Sequence, residues 1–159
     1  MPNDPTTSPL WPADSPAVTA HITLLQGIIN RLANNSSSCK TWCLTLTAAF
    51  LSLAGATHQP RIVTFALVPV VVFGFLDAMY LAHERSYREL YARIVQKIRN
   101  GSYARADTFE AQAPVTFSRI FLAFWSWSVI PIYGGLILAY IVASCAGGIA
   151  LITAVSKAP

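Results

Sequence analysis

Ile62 to Ala82, IVTFALVPVVVFGFLDAMYLA, is the stretch that most narrows what this chain can fold into. Its 21 residues carry one charge, Asp77. At about 1.5 Å of rise per residue, a helix of that length matches a hydrocarbon layer roughly 30 Å thick. A charged, mostly basic run follows at once: His83, Glu84, Arg85, Arg88, Arg93, Lys97 and Arg99. The pattern predicts a helix that crosses a membrane and continues into water.

The rest of the chain supports the same class. Hydrophobic residues make up 54% of it and charged residues 11%, against about 25% charged in soluble domains. The net charge of +4 comes from Lys and Arg beside apolar segments, where cytoplasmic retention accounts for them. No nucleic-acid partner is therefore expected. Cys39, Cys43 and Cys145 form no CxxC and no framework of even count, and are read as reduced helix residues. Residues 1–15 contain four prolines, two acids and no basic residue, which suits a disordered tail better than a cleavable signal. On that expectation the first apolar segment stays in the mature protein as an anchor.

A helix start is marked at Asp14-Ser15-Pro16, with Ser15 as cap and Pro16 in the first turn. Val18, Ile22, Leu25, Ile29 and Leu32 then recur at threes and fours, and the register runs on through Ser36, Cys39, Cys43, Leu46, Phe50 and Leu53. One helix is expected from 16 to 54, followed by a breaker-rich turn, GATHQP, at 55–60. Pro69 and Gly74 are expected to bend the returning helix slightly. Tyr87, Leu90, Tyr91, Ile94 and Ile98 prolong that helix to a stop at Asn100-Gly101. The expected fold is all-α: a long antiparallel hairpin over 16–100, half in the membrane and half cytosolic. Its transmembrane spans lie at about 41–57 and 62–82, and each arm reaches on the order of 60 Å.

A polar linker is expected at 101–114. The charge-free run after Arg119 divides at Pro131 into an aromatic interfacial helix, 115–128, and a third transmembrane span, 130–155. A re-entrant pair of short helices is the alternative there. The span is rich in small residues (Gly134, Gly135, Ala139, Ala143, Ser144, Ala146, Gly147, Gly148) that permit close helix contact in lipid. Nine of the eleven basic residues, namely Arg31, Lys40, Arg85, Arg88, Arg93, Lys97, Arg99, Arg105 and Arg119, fall on one side. Arg61 and Lys157 fall on the other. The N-terminus is accordingly expected to be cytoplasmic, in a bacterial inner membrane.

Two polar constellations stand out. Asp77 is the one acid inside an apolar span and needs a partner. Counted back through the turn it falls opposite residue 41, so an intramembrane ion pair with Lys40 is expected near the cytoplasmic boundary. The plainer alternative has both groups reaching interfacial water. Gln26, Asn30, Asn34 and Ser38 form a polar stripe, with Arg31 and Asn35 beside it and Glu84, Arg85 and Arg88 opposite. A hydrogen-bonded seam between the arms is expected there, or an anion site using Arg31, Arg85 and Arg88. His21, His58 and His83 are scattered, no metal or other cofactor is implied, and no phosphate loop, GxSxG or HExxH occurs. No enzyme is expected.

The segments LQGIINRLANNSSSCKTW (Leu25 to Trp42) and FLDAMYLAHERSYRELY (Phe75 to Tyr91) carry a likeness. With Asn-Ser-x3-Lys-x-Trp entering the first span and Leu-Asp-x2-Tyr-Leu-x2-Glu-Arg leaving the second, the chain resembles a group of small bacterial inner-membrane proteins. The Tyr133 region is similar as well, so the likeness touches most of residues 21–152. It implies the three-span topology and, through members thought to act in antiphage defence, a membrane effector role. It carries over no catalytic residue. Besides the lipid bilayer, the expected partners are further copies of the chain or another membrane protein. A self-associating, pore-forming or membrane-perturbing module is expected, with a structural or accessory subunit as the alternative.

Overall fold

The computed structural model describes residues 10–57, 59, 61–142 and 144–145. Within them every regular element is helical, apart from one isolated antiparallel bridge between Leu10 and Ala104. Helix α1 spans Pro16–Thr57. Ser15 starts it as expected, its Oγ accepting the Val18 N–H at 3.3 Å, while Pro16 sits where a missing N–H costs nothing. The helix runs through Gly55, and Thr57 Oγ1 donates to the Leu53 carbonyl at 2.8 Å. The reversal is thus shorter than the expected turn; His58 and Pro60 lie outside the described residues.

The returning arm comes in two pieces, α2 (Arg61–Phe65) and α3 (Leu67–Arg99). Pro69 explains the break. It has no N–H for the Phe65 carbonyl, and its ring crowds that carbonyl. Ala66 takes the tighter path, donating to the Val63 carbonyl at 3.0 Å. At the far end Gly101 adopts φ +63, Ser102 N–H bonds the Lys97 carbonyl at 2.9 Å and Gly101 N–H bonds Ile98 at 3.1 Å. Those two bonds close the last turn, and they need a residue at ease with positive φ.

The arms pack antiparallel over their length. Gln26 Nε2 donates to the Tyr91 hydroxyl at 3.2 Å, Lys40 meets Asp77, and Cys43 packs with Val70. Toward the free ends the core is built of large groups: Val18, Leu25, Leu90, Ile94 and Tyr103. Past Lys40 the buried face becomes small. Cys43, Thr47 and Ala54 on α1 and Ala66, Pro69, Val70 and Asp77 on the returning arm are buried there, while Gly74, Ala78 and Ala82 are buried under Tyr133 and Ala123. The large side chains there point outward: Leu44, Leu46, Leu51, Leu53, Val68, Val71, Val72 and Phe75 are all exposed. Leu46 and Leu53 therefore leave the buried stripe that the sequence spacing assigned to them. On α1 the inward positions of this half are Cys43, Thr47 and Ala54, small side chains of the kind that let helices approach closely. Two helical stretches, Pro16–Thr57 and Arg61–Arg99, are long and apolar enough to cross a membrane.

Two shorter helices follow, α4 (Phe117–Phe124) and α5 (Ile130–Val142), the latter opening on a π turn at Ile130–Gly134. The expected interfacial helix is cut short after Phe124. Pro131 cannot donate to the Trp127 carbonyl, and Ser126 Oγ draws the Ser128 N–H at 3.4 Å. The two helices lie along α3 in the opposite sense. Arg119 sits at Ser86 and Glu89, Ala123 at Ala78 and Ala82, Tyr133 on Gly74, and Leu136 and Tyr140 beside Ala66 and Leu67. From Arg119 to Tyr140 the chain advances along α3. A Cβ on Gly74 would come within 3.3 Å of Tyr133 Cδ1, so glycine is what lets that ring lie against α3. The later part of the expected third span, with Ala143, Ala146, Gly147 and Gly148, lies outside the described residues.

Residues 101–114 are not the patternless linker that the sequence suggested, and Leu10–Ser15 are not part of a free tail. Trp11 N–H bonds the Tyr103 carbonyl at 3.0 Å, and its indole Nε1 donates to Thr108 Oγ1 at 3.0 Å. The Arg105 guanidinium lies 4.7 Å over the Trp11 ring. Tyr87 reaches across from α3 to the Ala111 carbonyl at 3.0 Å. Together these segments close the free ends of the arms.

Candidate functional site

Ser36 and Lys40 are four apart on α1, so both side chains leave the same face. That face meets α3 at Asp77, which is 0% exposed. Ser36 Oγ donates to Asp77 Oδ1 at 2.5 Å, and Lys40 Nζ lies 2.9 Å from Oδ1 and 3.0 Å from Ser36 Oγ. Oδ2 is also 2.8 Å from Nζ but off the line of its N–H bonds, so it has charge contact without an aligned donor among the described residues. Tyr133, from α5, borders the same carboxylate while donating to the Phe73 carbonyl at 3.2 Å. Three helices thus converge on one buried, charge-balanced cluster. Removing one partner of such a pair strands a charge away from water, which costs far more than the net worth of the pair.

A second buried polar cluster sits at the free ends, and sequence reasoning missed it. His21 is 0% exposed. Its Nε2 lies 2.9 Å from the Glu110 carbonyl, which only accepts, so Nε2 carries the proton. Nδ1 lies 2.6 Å from the Tyr103 hydroxyl, which also donates to the Asp107 carbonyl at 3.4 Å. Burial raises the Tyr103 phenol above its ordinary range, keeping the donor in place. Phe109, at φ +61, tilts its ring against His21 just before the residue whose carbonyl His21 holds. Nearby, Lys97 Nζ sits 2.6 Å from Asp107 Oδ1. The Lys97 hydrogen bond, then the Ala104 N–H, holds Asp107 below the usual carboxylate range, and the same bond raises Lys97. No local signal pointed to this cluster, because its parts come from three separate stretches of chain.

The polar stripe facing Glu84, Arg85 and Arg88 does not form as expected. Gln26, Asn30, Asn34 and Ser38 are exposed, as is Arg31. They sit roughly 100–180° around α1 from the buried stripe, and apolar burial decided which stripe turned inward. Glu84, itself buried, takes Arg88 as its partner at 2.6 Å. Arg85 instead reaches Ser126 Oγ at 2.7 Å, and Arg31 lies beside Phe109 at the rim of a shallow apolar hollow. Asn30 and Arg88 share another shallow hollow with Gln26 and Tyr91. The three arginines of the expected anion site therefore do not converge. Arg119, unassigned by sequence reasoning, ties α4 to Ser86 and Glu89 at 3.2 and 2.8 Å.

Cys39 and Cys43 are buried and free, and Cys145 is exposed. Among the described residues no three His, Cys, Asp or Glu side chains come together as a metal site would require. No family model, curated protein or solved structure matches the chain.

Proposed function

We propose that this chain is an integral membrane protein of the bacterial inner membrane, non-enzymatic, that assembles with further copies of itself. One observation carries the reading: past Lys40 the small side chains face inward and the large apolar ones face out. A water-exposed surface made of Leu44, Leu46, Leu51, Leu53, Val68, Val71 and Val72 is untenable for a soluble monomer. Against acyl chains the same surface costs nothing. Asp77 and Lys40 then lie at the cytoplasmic end of the spans as a lock, and the lock is poorly suited to catalysis. Lys40 Nζ donates to both Ser36 Oγ and Asp77, so it is not placed as a base for Ser36, whose proton goes to Asp77.

Two exposed hydroxyls of the first span are met without water: Thr41 and Thr45 each donate to the carbonyl four residues earlier, at 3.3 and 2.9 Å. Self-association rests on α5. Gly135 and Ala139, four apart, are both exposed, and a Cβ built on Gly135 meets nothing within 4 Å. A second helix can approach closely there. The outward faces carry too little polarity to line a water-filled path, so the membrane-perturbing form of effector suits this chain better than a wet pore.

Cysteine crosslinking at Ala139→Cys in native membranes tests the assembly. A discrete ladder of multiples of the chain, abolished by Gly135→Leu, supports the reading. One band with a different protein gives the accessory-subunit alternative instead.

A further inference from the structure

Beside α4 lies a notch of about 260 Å³ lined by Ala82, Arg85, Glu89, Arg119 and Leu122. Two guanidinium groups and one carboxylate border it. Arg119 is occupied by Glu89 and Ser86. Arg85 is different: it is exposed, it donates one N–H to Ser126 Oγ, and among the described residues no carboxylate lies within ion-pair distance of it. The notch therefore carries an excess positive charge with donors to spare. Its apolar lining is Ala82 and Leu122, and the chain around and after Leu122 is strongly exposed: Phe121, Leu122 and Trp125 are 58–70% exposed, and Trp127 is 91% exposed.

Depth along α3 brings these two properties together. Ala82 ends the apolar run, and Arg85 lies one turn further, about 4.5 Å along the axis. This argument rests on the membrane reading above: if Ile62–Ala82 spans the bilayer, Arg85 and Arg119 stand at headgroup level, with Trp125 and Trp127 in the interfacial belt. We propose that the notch binds the phosphate of an anionic phospholipid, with Arg85 as principal donor, Arg119 as its second cation and Ser126 fixing Arg85, while the acyl chains lie along Leu122 and Trp125. The surplus charge disfavours a zwitterionic headgroup, whose cation would face two arginines. A free phosphate would gain nothing from the apolar wall.

The test uses the full chain carrying Trp42→Phe, reconstituted in phosphatidylcholine with a minor fraction of brominated lipid that quenches tryptophan on contact. Brominated phosphatidylglycerol is expected to quench more than the same fraction of brominated phosphatidylcholine, with an enrichment of about fivefold at the site. Arg85→Gln should abolish that preference and leave quenching by phosphatidylcholine unchanged, Arg119→Gln should weaken it, and Arg99→Gln should not alter it. Equal quenching by the two lipids, or a preference that survives Arg85→Gln, overturns the headgroup site while the membrane reading stands. A preference erased by millimolar inorganic phosphate assigns the notch to a free anion and also overturns the proposal. Absence of quenching by either lipid removes the membrane reading and the site together.

Discussion

The hairpin is one pair of helices with two opposite interiors. Near its free ends Leu25, Leu90, Ile94 and Tyr103 are inside and the charges are outside, the arrangement that water imposes. Near the turn the order reverses: Ala66, Gly74, Ala78 and Ala82 are inside and leucine, valine and phenylalanine are outside. The backbone geometry is the same in both halves, so the difference lies in what each half has to exclude. In the first, burial of apolar area does the holding. In the second, close contact between small residues does it, and on the membrane reading proposed above the outward leucines gain nothing by turning in. The Ser36–Lys40–Asp77 cluster stands where one rule gives way to the other.

Five substitutions break or sharpen that contrast. The largest effect is expected from Asp77→Ala, which leaves Lys40 charged with its partner gone and should cost about 3–5 kcal/mol. Thermal unfolding in detergent measures it; a loss below about 1 kcal/mol would mean the cluster is wet and the boundary lies elsewhere. Next comes a matched pair. Leu25→Ala should cost about 2–5 kcal/mol, as in any packed core, whereas Leu46→Ala should stay within about 0.5 kcal/mol. Equal losses in the two would erase the distinction between the halves. His21→Ala strands the Glu110 carbonyl and the Tyr103 hydroxyl, with an expected loss of about 1–3 kcal/mol and earlier protease cutting between residues 102 and 114. Protection equal to that of the unaltered chain would show that the cap does not depend on His21.

The smallest effect concerns pH. The folded Asp107 titrates below its unfolded value, so the stability it adds is complete above about pH 4 and disappears as pH falls through the folded value. Lys97 is raised, so its share is present below about pH 10.4 and is lost as pH climbs through the folded value. Lys97 is 44% exposed, and solvent screening keeps the pair's contribution under about 1 kcal/mol. Asp107→Asn should remove the acid-side loss at the cap, read from Trp11 fluorescence, and leave the turn half unaffected.

Much of this could be read from local pattern. The Ser15 cap, the stop at Gly101 and the length of both arms follow from residue types at fixed offsets. The Lys40–Asp77 encounter followed from counting back through a short turn, since two straight helices leave little freedom of register. The exposed fate of Asn30 and Asn34 was not legible, because a polar stripe and an apolar one compete for the same interface and spacing alone does not say which wins. The cap around His21 was equally hidden. Nothing near His21 announces Tyr103, Phe109 or Glu110 as its neighbours.

By itself, then, the order of residues determined the helices, their ends and the pairing of one buried charge, because those depend on hydrogen bonds and offsets within a few turns. Tertiary packing alone decided which side of each helix became the inside, where Arg85 and Arg119 turned, and that Trp11 and residues 102–114 close the free ends. Those outcomes depend on how near two backbones can come, a distance set by side chains from both partners at once.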